Sequence, residues 1–181
     1  MIKQLDDLIT TLKKRFTLGN PHYQREDLVF VTVSKEQLIS ILSHMRDKEG
    51  FTHFVMLSVV DWIEEGKFQL SYILNHPDKH IDIVFRCMIS RDEATMESAH
   101  HLWKQVATYQ RELKEMYGID FPGSPGVDDP FILEGWDDIP PMRREFDTKQ
   151  YSEDTYFPRP GRESKDPKEH MKNKLYPDAY K

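Results

Sequence analysis

Few residues in this chain have the types and spacing that site chemistry needs. Cys87 is the single cysteine among 181 residues. That excludes an intramolecular disulfide and any CxxC-type zinc or iron–sulfur site built from this chain alone. Its strand parity places it among apolar side chains, as a small buried hydrophobe. His100 and His101 are adjacent on an expected helix, where neighbours point in different directions, so they form no bidentate site. His76 and His80 flank a turn, with no carboxylate or thiolate at a standard ligand spacing to support them. Asp128, Asp129, Glu134, Asp137 and Asp138 form an acidic loop without EF-hand spacing, which reads as a solvated or partner-facing patch. Ser124 sits in Gly-Ser-Pro-Gly after a helix, not on the strand-to-helix elbow of a hydrolase. The glycines fit neither a P-loop nor a Rossmann fingerprint.

What remains is a charged and aromatic group spread along residues 110–147. Arg111, Glu112, Glu115 and Tyr117 lie near the end of a helix, with Phe121 just beyond. Pro141, Arg143, Arg144 and Phe146 follow after a proline-rich stretch. Arg111 and Glu115 are four apart and can pair, worth a few tenths of a kcal/mol (~0.3) if exposed. Desolvation by a partner raises those stakes. Arg143 and Arg144 serve either solubility or as forks for partner carboxylates.

The elements that must position them follow from periodicity. Leu5, Leu8, Ile9, Leu12 and Phe16 share one helical stripe. Residues 27–33 read as a strand. Ser34 with Gln37 then forms a capping box for a helix that buries Leu38, Ile41, Leu42 and Met45. Residues 51–62, 67–74 and 80–89 read as three strands with short turns, suiting an antiparallel meander. Ser90 with Glu93 suggests a second capping box, opening a long helix over 90–117 that Gly118 stops. The expected class is α+β: an antiparallel sheet with helices packed on it, followed by a long extended C-terminal arm.

Composition supports a body over 1–121 and an arm over 122–181. Nine of the eleven prolines lie at or after Pro122. No periodicity survives there, and proline limits helix and inner strand. Yet Phe131, Trp136, Phe146, Tyr151, Tyr156, Phe157, Tyr176 and Tyr180 make the segment richer in aromatics than a solvating tail. Aromatics and arginines on a proline-stiffened chain suit docking on another surface. The net charge of −6 offers no basic field for nucleic acid. The most apolar run, 54–60, is far short of the ~20 residues of a membrane span. A reducing, intracellular compartment is expected.

Residues Arg111-Glu112, Glu115 to Ile119, Phe121-Pro122-Gly123 and Pro141 to Phe146 resemble the C subunit (30-kDa subunit) family of respiratory complex I. Gln110 and Ser124 stand where that family has Glu and His, and Asp128 and Asp129 stand near its arginine pair. The chain thus looks like a divergent member, as in membrane-bound hydrogenases or ferredoxin-dependent sulfur-reducing complexes. The resemblance implies a subunit without catalysis or cofactor of its own, and it makes Arg111, Glu112, Glu115, Tyr117, Phe121, Pro141, Arg143, Arg144 and Phe146 the candidate partner-docking set. It would brace a hydrogenase-like large subunit (D-type) and a small iron–sulfur subunit (B-type), which carry iron–sulfur clusters and, in the hydrogenase branch, nickel–iron. It would meet the membrane only through the complex, on its cytoplasmic face. The alternatives are the C subunit of an NADH- or ferredoxin-quinone oxidoreductase and, of another class, a stand-alone small metal-dependent enzyme.

Overall fold

The computed structural model describes residues 2–156. They form two compact units, the first running to Arg143 and the second beginning at Arg144. In the first unit the order is α1 (Ile2–Lys13), β1 (His22–Arg25), β2 (Leu28–Val33), α2 (Lys35–Asp47), β3 (His53–Trp62), β4 (Lys67–His76), β5 (Ile81–Ser90) and α3 (Val106–Tyr117). The second unit contains α4 (Thr148–Tyr156).

The five strands lie in the order β1-β2-β5-β4-β3. Alternation decides which side of each strand is buried. Val29, Val31 and Val33 of β2, the odd positions Ile81 to Ile89 of β5, and Phe68, Leu70, Tyr72 and Leu74 of β4 share one core. Leu5 and Leu12 of α1, Leu38, Ile41, Leu42 and Met45 of α2, and Val106 and Leu113 of α3 close over them. The helices therefore cover one face of the sheet. Cys87 is fully buried in this core, and burial pushes its thiol up to about 11.

The α+β class is as expected, with four differences in detail. β2 pairs with β5 in parallel, so the sheet is mixed. Between them the chain runs through α2, β3 and β4, and such a crossover returns β5 alongside β2 in the same direction. β1 is an addition; its four largely exposed polar residues lack the alternation that marks a strand. The helix expected over 90–117 covers only its second half. The hydroxyl of Ser90 accepts N–H groups of Asp92 and Glu93, forming a turn where a helix cap was expected. The backbone then bridges to Asp120, whose N–H donates to Ala94 O at 2.7 Å and whose carbonyl accepts from Met96 N at 2.9 Å. Met96, Ala99, Leu102 and Trp103 reach the core from these turns, so helical spacing appears there without a helix. His100 and His101 accordingly lie on turns. Finally, Ser34 precedes α2 without a side-chain cap, and Gln37 Oε1 instead accepts Thr17 N–H at 3.0 Å, tying the end of the first loop to α2.

Candidate partner-docking surface

The candidate site is built on the last two turns of α3. A helix end leaves carbonyls without intrahelical partners. Gly118 adopts φ 72°, the left-handed conformation glycine tolerates, and its N–H returns to Lys114 O at 2.9 Å. The chain loops out and comes back. Met142 N–H donates to Met116 O at 3.0 Å, and Arg143 Nε donates to Tyr117 O at 2.7 Å. A cation at a helix C-terminus also meets the favourable end of the macrodipole. The Arg143 guanidinium stands 5.4 Å from the Phe68 ring centroid, and that of Arg91 stands 5.3 Å from the same centroid. Arg91 forks onto Asp61 at 2.7 and 3.0 Å, while Tyr117 meets Phe68 edge-on at 6.1 Å. Burial, then the charges of Asp61 and Glu112, push the Tyr117 phenol up.

Glu115 holds the loop itself. Its carboxylate accepts the backbone N–H groups of Phe131 (2.6 Å), Ile132 (2.9 Å) and Leu133 (3.2 Å). Desolvation pushes this carboxyl up, but the three donors and the Arg111 charge outweigh it and hold it below its ordinary value. Arg111 therefore acts on Glu115 through its field, while its guanidinium lies 5.4 Å from the Phe131 ring centroid. Lys114 pairs with Asp120 and reaches Asp128 at 3.4 Å. Trp136 Nε1 donates to the carbonyls of Asp138 and Ile139, each at 3.1 Å. Residues 130–143 thus form a strap latched across the end of α3.

Of the nine expected docking residues, the structure gathers Arg111, Glu115, Tyr117 and Arg143 into this latch. Glu112 is half-buried on α3, Pro141 is half-buried on the strap, and Phe121 is fully buried in the core. Arg144 and Phe146 belong to the second unit, where Phe146 packs on Tyr151 with ring centroids 5.4 Å apart. Residues the sequence reading passed over are the strap's aliphatics. Ile132 is 68% exposed, Ile139 42% and Met142 54%. A signal existed: isolated apolar side chains between prolines and acids with no strand or helix period to bury them.

Two of the positions that depart from the family pattern are buried. Gln110 is fully buried, and its Oε1 accepts the Ser98 hydroxyl at 2.7 Å. An amide there avoids burying a charge. Ser124 is also buried, and among the described residues its hydroxyl has no partner. Among the described residues no group of three His, Cys, Asp or Glu side chains is placed to hold a metal ion. His76 is buried against Phe51 at 5.4 Å, while His80, at φ 52°, is exposed. Of the expected arm, residues beyond 156 lie outside the described residues. Within them, the arm carries the helix α4, which the sequence reading did not foresee.

A mixed five-stranded α+β domain with a strap latched over its last helix defines the class. The chain belongs to the respiratory-chain NADH dehydrogenase 30 Kd subunit family, whose model matches residues 31–152. It is 27% identical over 133 residues to the C subunit of NADH-quinone oxidoreductase from Citrifermentans bemidjiense, covering 71% of this chain and 81% of that one. It is 32% identical over 125 residues to the C/D subunit of NADH-quinone oxidoreductase from Hydrogenobaculum sp., covering 68% of this chain and 21% of that one. The chain therefore spans about a fifth of the length of such C/D relatives. In fold it superposes on a chain of the membrane-bound sulfane sulfur reductase, an archaeal respiratory membrane complex. The TM-score is 0.78 at 24% identity, over 91% of this chain and 98% of that one. A trypsin-resistant fragment (1–134) of Nqo5 gives a TM-score of 0.56 at 17% identity, over 67% and 97%.

Proposed function

We propose that the chain is a non-catalytic peripheral-arm subunit of a complex-I-like, membrane-bound respiratory redox complex. In that role it braces a hydrogenase-like large subunit of D type and a small iron–sulfur subunit of B type. The observation that carries this reading is the strap. Glu115 and Arg143 hold 130–143 against α3 from behind, which leaves Ile132, Ile139 and Met142 turned to solvent. Exposed aliphatics on a pre-ordered strap suit a protein surface, since little entropy is lost when they are covered. Arg144, Phe146 and the rest of 122–181 extend the docking arm. Cofactors sit in the partner subunits, and the chain meets the membrane through them, on the cytoplasmic face. Among the described residues no helix is long and apolar enough to cross a membrane.

A ferredoxin-dependent sulfur-reducing or hydrogenase branch is favoured by the extent of the likeness to the sulfane sulfur reductase chain. A second reading, the C subunit of a quinone-reducing complex, draws on the names of the curated relatives. Purification of the tagged chain from gently solubilised native membranes, with mass spectrometry, tests both. Recovery with a large subunit and an iron–sulfur subunit is expected. Nickel-ligating cysteine pairs in that large subunit would point to the hydrogenase branch. Recovery of the chain alone would overturn the scaffold reading.

A further inference from the structure

Helices α1 to α3 cover one face of the sheet, and the other face has a composition of its own. The register sets Phe30, Val84, Ile73 and Met56 side by side across β2, β5, β4 and β3. Val84 is 2% exposed yet stands outside the core cluster, so this row buries itself locally. Along β3 the same face shows Met56 at 38%, Val60 at 43% and Trp62 at 40% exposure. Three large apolar side chains exposed on one strand face are unusual unless something covers them.

The next row holds Arg86 between Thr32 and Ser71, with Ser58 beyond. The Arg86 guanidinium is stacked 4.0 Å from the Phe30 ring centroid. Among the described residues its buried Nε has no hydrogen-bond partner and no carboxylate pairs with it. Asp82, an acid two rows away on the same face, is held by Asn75 Nδ2 at 2.8 Å. A desolvated donor left unmade is costly, and a stacked arginine fork is pre-organised for a carboxylate. Arginine flanked by aromatic and apolar side chains is also the composition of an interface hot spot.

We propose that this open sheet face is a second docking surface, seating an apolar segment of another subunit that brings a carboxylate to Arg86. The inference rests on the reading of the chain as a subunit of a larger assembly. Charge selects the occupant: the unmet group is a cation, and the apolar row beside it strengthens its pairing with an incoming anion. The backbone edge of β3 borders this face. Its first half is closed by side chains donating to outward carbonyls, whereas 58–62 receives none of these bonds.

The test uses the full chain in its native assembly. A photo-crosslinking residue at Ser58 is expected to form an adduct with another subunit. An adduct within the chain itself, an adduct with a second copy, or none at all would overturn the proposal. In parallel, Arg86→Glu is expected to lower recovery of partner subunits at least about tenfold, with Arg86→Lys intermediate. Unchanged assembly of the Arg86→Glu variant would also overturn it. Thermal unfolding of each isolated variant shows whether it folds; if Arg86→Glu does not, the Ser58 adduct decides. Wild-type chain that recovers no partners at all would sink the scaffold reading instead, so the two failures are distinct.

Discussion

Glu115 shows how one side chain can organise a segment that comes much later in the chain. Its carboxyl is held below its ordinary value of 4.5, so the folded strap prefers the ionised form. This stabilisation is fully present above the unfolded-state value and is lost as pH falls through the lower folded value. Protection of the 131–133 amides relative to their intrinsic exchange rates is therefore expected to fall in acid below about pH 4.5, and Glu115→Gln to lower it at neutral pH with little change in the sheet. Equal protection in the variant would mean the three bonds are not what holds the strap. Gly118 carries the other end. An added Cβ would lie 3.1 Å from Arg143 Nη2 and 3.2 Å from Pro140 Cγ, at φ 72°. Gly118→Ala is expected to cost about 1–2 kcal/mol in denaturant unfolding and to expose the strap to protease. Cys87, pushed up to about 11 by burial, should react with a thiol reagent at pH 8 only after unfolding. Fast labelling of the native chain would contradict its place in the core.

At the level of elements, β3 is an edge strand of ten residues and would be a template for pairing with other chains. Its first half is guarded from α3 and the loop before it. Trp103 Nε1 donates to Thr52 O at 2.9 Å, Gln105 Nε2 to Phe54 O, and the Tyr109 hydroxyl to Val55 O at 3.1 Å. The irregularity between Phe54 and Met56 turns the Val55 carbonyl outward to meet that hydroxyl. This also explains why the helix begins at Val106: the chain before it is committed to capping a strand edge and bridging to Asp120. Combining Gln105→Ala with Tyr109→Phe is expected to remove about 1–2 kcal/mol of stability and to raise self-association in light scattering. Unchanged stability and mass would show that water serves those carbonyls equally well.

For the whole molecule, the division at Arg143 has a consequence for assembly. The latch belongs to the first unit, and the arm beyond it is a separate unit. Trypsin is expected to cut after Arg144 and Lys149 in the isolated chain and to be slowed at those bonds in the assembled complex. Equal cleavage in both states would mean that this part of the arm is not covered by a partner.

The sequence by itself determined the parts that depend on near neighbours along the chain. The stripe of α1, the strands β2 to β5, the burial of Cys87 and the stop at Gly118 follow from alternation, helical spacing and one glycine. Residues between Arg111 and Phe146 also carried the family resemblance, and with it the expectation of a partner. The tertiary structure alone decided the rest. The parallel pairing of β2 with β5, the unwinding of 91–105 and the new role of Gln37 each depend on groups far away in sequence. The Glu115 latch does too, because its donors come from sixteen to eighteen residues further on. Periodicity reports which side of an element is apolar. It does not report which distant backbone group a buried carboxylate, amide or carbonyl will meet, because that choice is made only when the core brings them together.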